Sequence, residues 1–109
     1  MEITIENLSS DLKLLRIEGR LEASVADQVK DTWANEPCKY FIADLSQTSF
    51  IDSMGLSTLV IGLKHTRQQG GDFILLNPSE PTRVILEVTR MSTVFKIAHT
   101  LEEAIIYCK

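Results

Sequence analysis

A carboxylate and a hydroxyl stand side by side at Asp52-Ser53, where an extended apolar run gives way to a helical pattern. Leu56, Leu59, Val60 and Leu63 follow at i, i+3, i+4 and i+7, the spacing of one helix face. Either short side chain suits the N-cap, where an oxygen accepts a bond from an unpartnered backbone N–H of the first turn. The Ser53 hydroxyl is then left at the mouth of a helix, near solvent and beside a carboxylate, the foremost candidate for chemistry in the chain. A nucleophilic serine would need a base. His65 lies three turns down the same helix, about 18 Å away at ~1.5 Å rise per residue, out of reach. His99 has no recognisable orienting partner, and the G-x-S-x-G elbow of serine hydrolases is missing. Two histidines and two cysteines have no ligand-like spacing, so no metal is expected. Gly70-Gly71 follows a helix rather than opening one, so no phosphate cradle and no cofactor site are expected either. The chain does not read as an enzyme.

The elements that must hold this corner fit one domain over residues 1–109, long enough to bury a core without metal or disulfide staples. A net charge of -4 with scattered Lys and Arg argues against a nucleic-acid surface. The apolar run Leu59-Val60-Ile61 is far short of a membrane span, and the N-terminus lacks the order of a signal peptide. A soluble cytoplasmic protein without membrane attachment is expected. Cys38 and Cys108, with no CxxC spacing, are expected as reduced thiols, packing residues or exposed by chance.

Ile3 and Ile5 alternate with polar residues as in a half-buried strand, and Asn7 to Asp11 supplies a turn. Leu12, Leu14, Leu15 and Ile17 make a second strand that stops at Gly19, leaving Arg20-Leu21-Glu22 as a loop. Ser24 and Asp27 form a capping-box pattern before a helix over Val25, Ala26, Val29 and Trp33, ended by Asn35-Glu36-Pro37. Tyr40 to Leu45 is nearly continuous in apolar character, as in a strand covered on both faces. Ser46 to Ser49 reads as a polar loop, and Phe50-Ile51 re-enters the apolar layer just before the Asp52-Ser53 corner. Gly70-Gly71 ends the helix after Ser53, and Phe73 to Leu76 makes a fourth strand. Pro81 opens a helix with Val84, Ile85 and Val88 inward, and Met91 with Val94-Phe95 extends that surface. Ile97 falls in a short strand, and Thr100-Leu101-Glu102-Glu103 is a second capping box. The sum is an α/β protein: a mixed central sheet of four to five strands with about four helices packed against it.

The strand Phe41-Ile42-Ala43-Asp44-Leu45-Ser46 and the stretch Phe50-Ile51-Asp52-Ser53-Met54-Gly55-Leu56-Ser57-Thr58-Leu59 together resemble the STAS domains, and within them the bacterial anti-sigma factor antagonists. Gly19, the glycine pair and Leu101-Glu102-Glu103-Ala104 also fit, so the resemblance covers essentially the whole chain. It implies the STAS fold and a binding protein switched by phosphorylation. The implied partner is an anti-sigma factor that is also a serine kinase of the histidine-kinase-like ATPase type, and a PP2C-type phosphatase reverses its action. Ser53 is the implied phosphoacceptor: unphosphorylated, the protein sequesters the anti-sigma factor; phosphorylated, it lets go. The implied contact surface comprises Asp52, Met54, Gly55, Leu56 and Ser57 with the turn Arg20, Leu21 and Glu22. The chain departs from the family pattern where Arg20 replaces an acidic residue, Glu22 an Asp, and Met54 a small or hydroxyl residue. It departs again at Arg90-Met91-Ser92, where relatives often carry a glycine. On the same fold, the alternatives are a scaffold in a larger signalling assembly, a regulator of a transporter or cyclase, and a carrier of an apolar ligand.

Overall fold

The computed structural model describes residues 1–36 and 38–108. Six strands and four α-helices follow one another among these residues: β1 (Glu2–Asn7), β2 (Leu12–Leu21), α1 (Ala26–Asn35), β3 (Tyr40–Asp44), β4 (Thr48–Ile51), α2 (Ser53–Gln68), β5 (Asp72–Leu76), α3 (Glu80–Val88), β6 (Lys96–Ala98) and α4 (Leu101–Ile106). The sheet runs β1-β2-β3-β5-β6, with β1 antiparallel to β2 and the others parallel. The expected α/β class and its four helices stand, with one strand more than the four to five read from the pattern.

The additional strand is β4, and it exists because β2 is longer than expected. β2 does not stop at Gly19. Its first half pairs with β3 from Leu12↔Tyr40 to Arg16↔Asp44, and its last residues run on past the end of β3. There they pair with β4 through Gly19↔Thr48, Arg20↔Phe50 and Leu21↔Ile51, with a shift in register after Gly19. Gly19 has φ +99°, a conformation that a side chain would oppose. The segment read as a polar loop at Ser46 to Ser49 is thus half strand, its Thr48 hydroxyl donating to the Ile17 carbonyl at 2.9 Å.

One face of the sheet carries the main core. Leu15, Ile17 and Leu21 of β2 meet Val29 and Trp33 of α1, Leu56, Leu59 and Leu63 of α2, and Leu86 of α3. Trp33 is the anchor expected of it, packed edge-on to Phe41 and Phe73 at 5.2 and 5.1 Å between ring centres. Its indole N–H donates to the Thr58 carbonyl at 2.8 Å, joining α1 to α2. The other face holds a smaller core of Leu12, Leu14, Ile42, Ile74, Leu76 and Ala98 beneath Ala104 of α4.

Several local expectations need correction. The Ser24–Asp27 capping box does not form, because residues Ala23–Val25 make a 3-10 turn and the Ser24 hydroxyl donates to Glu22. Val84 and Val88 face outward; α3 buries Thr82 and Leu86, and Ile85 is half-buried. Pro37, read as the stop of α1, lies outside the described residues. The second capping box is present, with Thr100 accepting from the Glu103 amide at 3.1 Å. Gly70 takes the left-handed conformation after α2. Both cysteines are free thiols. Cys38 is buried, and burial, reinforced by Asp72, pushes the Cys108 thiol up to about 11. Among the described residues no helix is long and apolar enough to cross a membrane.

Candidate functional site

The corner is made where β4 ends and α2 begins. Ile51 closes β4 with its side chain in the core, and the next residue turns the chain without leaving the sheet, its N–H donating to the Leu21 carbonyl at 3.3 Å. Asp52 is the N-cap of α2 in extended geometry, φ -111° and ψ -176°. Its Oδ1 accepts from the Gly55 N–H at 2.8 Å. Its Oδ2 accepts from the Ala23 N–H at 3.1 Å, on the turn that follows β2. The Gly55 amide above all holds the Asp52 carboxyl below its ordinary value of 3.8; burial opposes it, and the Ala23 and Met54 amides add smaller lowering effects.

Gly55 explains how the helix mouth can sit so close to β2. A Cβ there would lie 2.1 Å from the Leu21 carbonyl oxygen, a separation no side chain tolerates. The glycine therefore lets the first turn of α2 press against the strand end, and Leu56 and Leu59 then reach the core. Ser53 is the first residue of α2 and is exposed. Around it the hydrogen bonds engage Asp52, Gly55, Ser57 and Thr58; among the described residues none occupies the Ser53 hydroxyl, and neither His65 nor His99 bonds to it. Among the described residues, no group of three or more His, Cys, Asp or Glu side chains could hold a metal ion.

The chain matches a known family. The STAS domain model covers residues 4–104. The chain belongs to the STAS domain family. It is 32% identical, over 71% of its length and 68% of the other's, to a protein of Thermotoga neapolitana named as an anti-sigma factor antagonist homologue. Among solved structures, it superposes on an anti-sigma factor antagonist of Thermotoga maritima with a TM-score of 0.84 and 27% identity, covering 95% of this chain and 92% of that one. It also shares its fold with the Bacillus anti-sigma factor antagonist SpoIIAA, at 22% identity in each of two forms: unphosphorylated, with a TM-score of 0.82 over 95% of this chain and 93% of that one, and phosphorylated, with 0.77 over 96% and 97%.

In this STAS domain the residues named from the sequence separate into two layers. Arg20, Ser53 and Met54 are exposed, Met54 by 44%, while Glu22, Asp52 and Ser57 are half-exposed. Leu21, Gly55 and Leu56 are buried, because the strand continues through Leu21 and α2 lies directly on it, so they support the surface from beneath and do not present side chains to it. The Ser57 hydroxyl is spent on its own helix, donating to the Met54 carbonyl at 2.7 Å. Arg20 donates to Glu22 at 3.0 and 3.2 Å and lies 4.3 Å over the centre of the Phe50 ring. The pair cancels most of the charge that Arg20 brings to the turn.

Three features of the STAS surface were not read from the sequence. Ala23 contributes only its amide, which no sequence pattern reveals. Phe50, expected in the apolar layer with Ile51, is exposed instead: with Ile51 inward on β4, strand alternation turns Phe50 outward beside Arg20. The third is a groove of about 340 Å³ that starts at Ser53 and runs along Leu56, Ser57, Val60, Ile61 and Lys64 to Thr89 and Met91. It needs the tertiary approach of the segment after α3, and periodicity within α2 does not supply that.

Proposed function

We propose that this STAS domain is an anti-sigma factor antagonist whose binding is switched by phosphorylation of Ser53. The observation that carries the reading is an exposed serine hydroxyl with no structural duty, fixed at a helix mouth whose capping is done entirely by its neighbour Asp52. A phosphate on Ser53 adds about -1.5 to -2 charges at neutral pH. The N-terminus of α2 favours an anion, by ~0.3–1 kcal/mol when exposed, so the fold tolerates the modification. A partner packed on the same corner does not, since it must desolvate or face a new dianion next to the Asp52 carboxylate. Charge then controls binding without unfolding.

In this reading the unphosphorylated protein sequesters an anti-sigma factor that is also a serine kinase of the histidine-kinase-like ATPase type. The kinase modifies Ser53 and releases the protein; a PP2C-type phosphatase restores it. The contact surface is Arg20, Glu22, Asp52, Met54 and Ser57, held from below by Leu21, Gly55 and Leu56. The protein itself is a cytoplasmic binding module and catalyses nothing. The SpoIIAA structures, one of them phosphorylated, support a fold that accommodates the modification.

The test has two steps. The protein is isolated from its source cells under phosphatase inhibition and its phosphate mapped by peptide mass spectrometry, with Ser53 expected to carry it in a condition-dependent way. Affinity for the kinase found with it is then measured by calorimetry. Ser53→Asp is expected to weaken binding at least tenfold, and Ser53→Ala to keep it within about twofold while losing control. Equal binding by Ser53→Asp, with Ser53 unmodified in every growth condition, would leave a scaffold without a switch.

A further inference from the structure

The Asp52 carboxylate joins two surface segments that are far apart in sequence. One oxygen accepts from Gly55 within α2 and the other from Ala23 on the turn after β2, at 2.8 and 3.1 Å. Capping α2 needs only the first bond, which Ser, Thr or Asn could supply equally well. Two acceptor oxygens aimed at two backbones require a carboxylate, because an asparagine in this place offers one oxygen and one NH₂ donor. The turn has no cap of its own: the 3-10 turn from Ala23 receives no side-chain bond from Glu22, whose carboxylate is taken by Arg20 and Ser24. The Ala23 amide is held from across the corner.

We propose that Asp52 is a positioning residue, a clasp that locks the Ala23–Val25 turn after β2 to the mouth of α2 so that charge placed on Ser53 is felt at the turn. The clasp itself needs no phosphate; only its role as a relay rests on Ser53 being the phosphoacceptor. A phosphate one residue from the carboxylate repels it, while the N-terminus of α2 favours the new anion. Of the two Asp52 bonds, the longer one to Ala23 yields first, because the Gly55 bond lies within the helix turn that the dianion stabilises. The Ala23–Val25 turn then loosens while β2 and α2 stay formed. A kinase bound across both halves would lose a rigid surface as well as meet a charge.

Hydrogen exchange by NMR on the full chain tests the clasp without any partner. Asp52→Asn keeps an oxygen for Gly55 and turns an NH₂ toward Ala23, so exchange at Ala23 is expected to rise at least tenfold while Gly55 stays within threefold. Asp52→Ala removes both bonds and is expected to release both amides. Equal release of the two in Asp52→Asn, or release of neither, overturns the clasp. Should Asp52→Asn not fold, the unmodified chain still decides: a through-bond coupling between the Ala23 amide nitrogen and the Asp52 side-chain carbon is expected, and its absence overturns the clasp. The relay is read with phosphoserine installed at position 53. Exchange at Ala23 is expected to rise at least threefold, and not to rise further when Asp52→Asn is already present. An unchanged Ala23 overturns the relay. Both arms are independent of whether cells phosphorylate Ser53, so their failure is distinguishable from failure of the switch.

Discussion

Ser53 and Ser79 occupy equivalent places, each opening a helix just past the carboxyl end of a strand of the same sheet, and their hydroxyls meet opposite fates. Ser79, the N-cap position of α3, is half-buried and donates to the Thr48 carbonyl at 2.6 Å while pairing with the Thr82 hydroxyl at 3.1 Å. It fastens α3 to β4. Ser53 sits one residue later in its corner, because Asp52 takes the N-cap position, and its hydroxyl holds nothing. A serine is released for chemistry when a neighbour with a longer reach does the structural work. The difference between a modifiable serine and a structural one therefore lies in the residue before it, as much as in exposure.

The largest way to break the contrast is to remove the close approach that makes the Ser53 corner. Gly55→Ala sets a Cβ 2.1 Å from the Leu21 oxygen and 2.8 Å from its carbonyl carbon, so backbone must move. The expected loss is about 1–3 kcal/mol or more, as for overpacking in a core, read as a lower midpoint in urea unfolding. Ser79→Ala comes next. It strips a half-buried donor from the Thr48 carbonyl, and a loss of about 1 kcal/mol is expected. Ser53→Ala, at a hydroxyl without a partner, is expected to stay within about ±0.5 kcal/mol. Equal losses for the two serines would mean that Ser53 carries a structural load, and the contrast would disappear.

The sequence made the Asp52-Ser53 corner legible because every cue was local: a capping residue, a glycine two places on, and a clean i, i+3, i+4, i+7 face. The buried strands β3 and β5 were legible for the same reason, as short apolar runs between turn residues. What stayed hidden depended on residues meeting from afar. β4 forms because β2 outruns β3, so Thr48 to Ile51 find a partner that no four-residue window discloses. The inward face of α3 was misread because Val84 and Val88 share the i, i+4 spacing that Thr82 and Leu86 also have; the Thr82–Ser79 hydroxyl pair helps settle which stripe faces in. Leu21 was read as a loop residue because the strand was ended too early, at a glycine that makes a bulge.

Acid separates the two corners further, by the smallest effect of the set. The Ser79 tie is made by a hydroxyl and does not titrate, whereas the Asp52 clasp is made by a carboxylate. The folded-state pKa of Asp52 is depressed below 3.8 by the Gly55 amide first and the Ala23 amide after it. A depressed acid contributes stability that is fully present above its unfolded value and disappears as pH falls through the lower folded value. Between pH 7 and about 5 the contribution should therefore be flat, and it should fade below ~4. Amide exchange at Gly55 and Ala23, corrected for intrinsic rates, is expected to accelerate on going from pH 5 to pH 3 relative to the first-turn amides of α3. Ala23 lies next to the Glu22 carboxylate, so Gly55 is the cleaner reporter. In Asp52→Asn the acceleration at Gly55 should vanish. If it persists there, the acid response belongs to the whole fold, and Asp52 caps α2 without titrating in the window that its hydrogen bonds define.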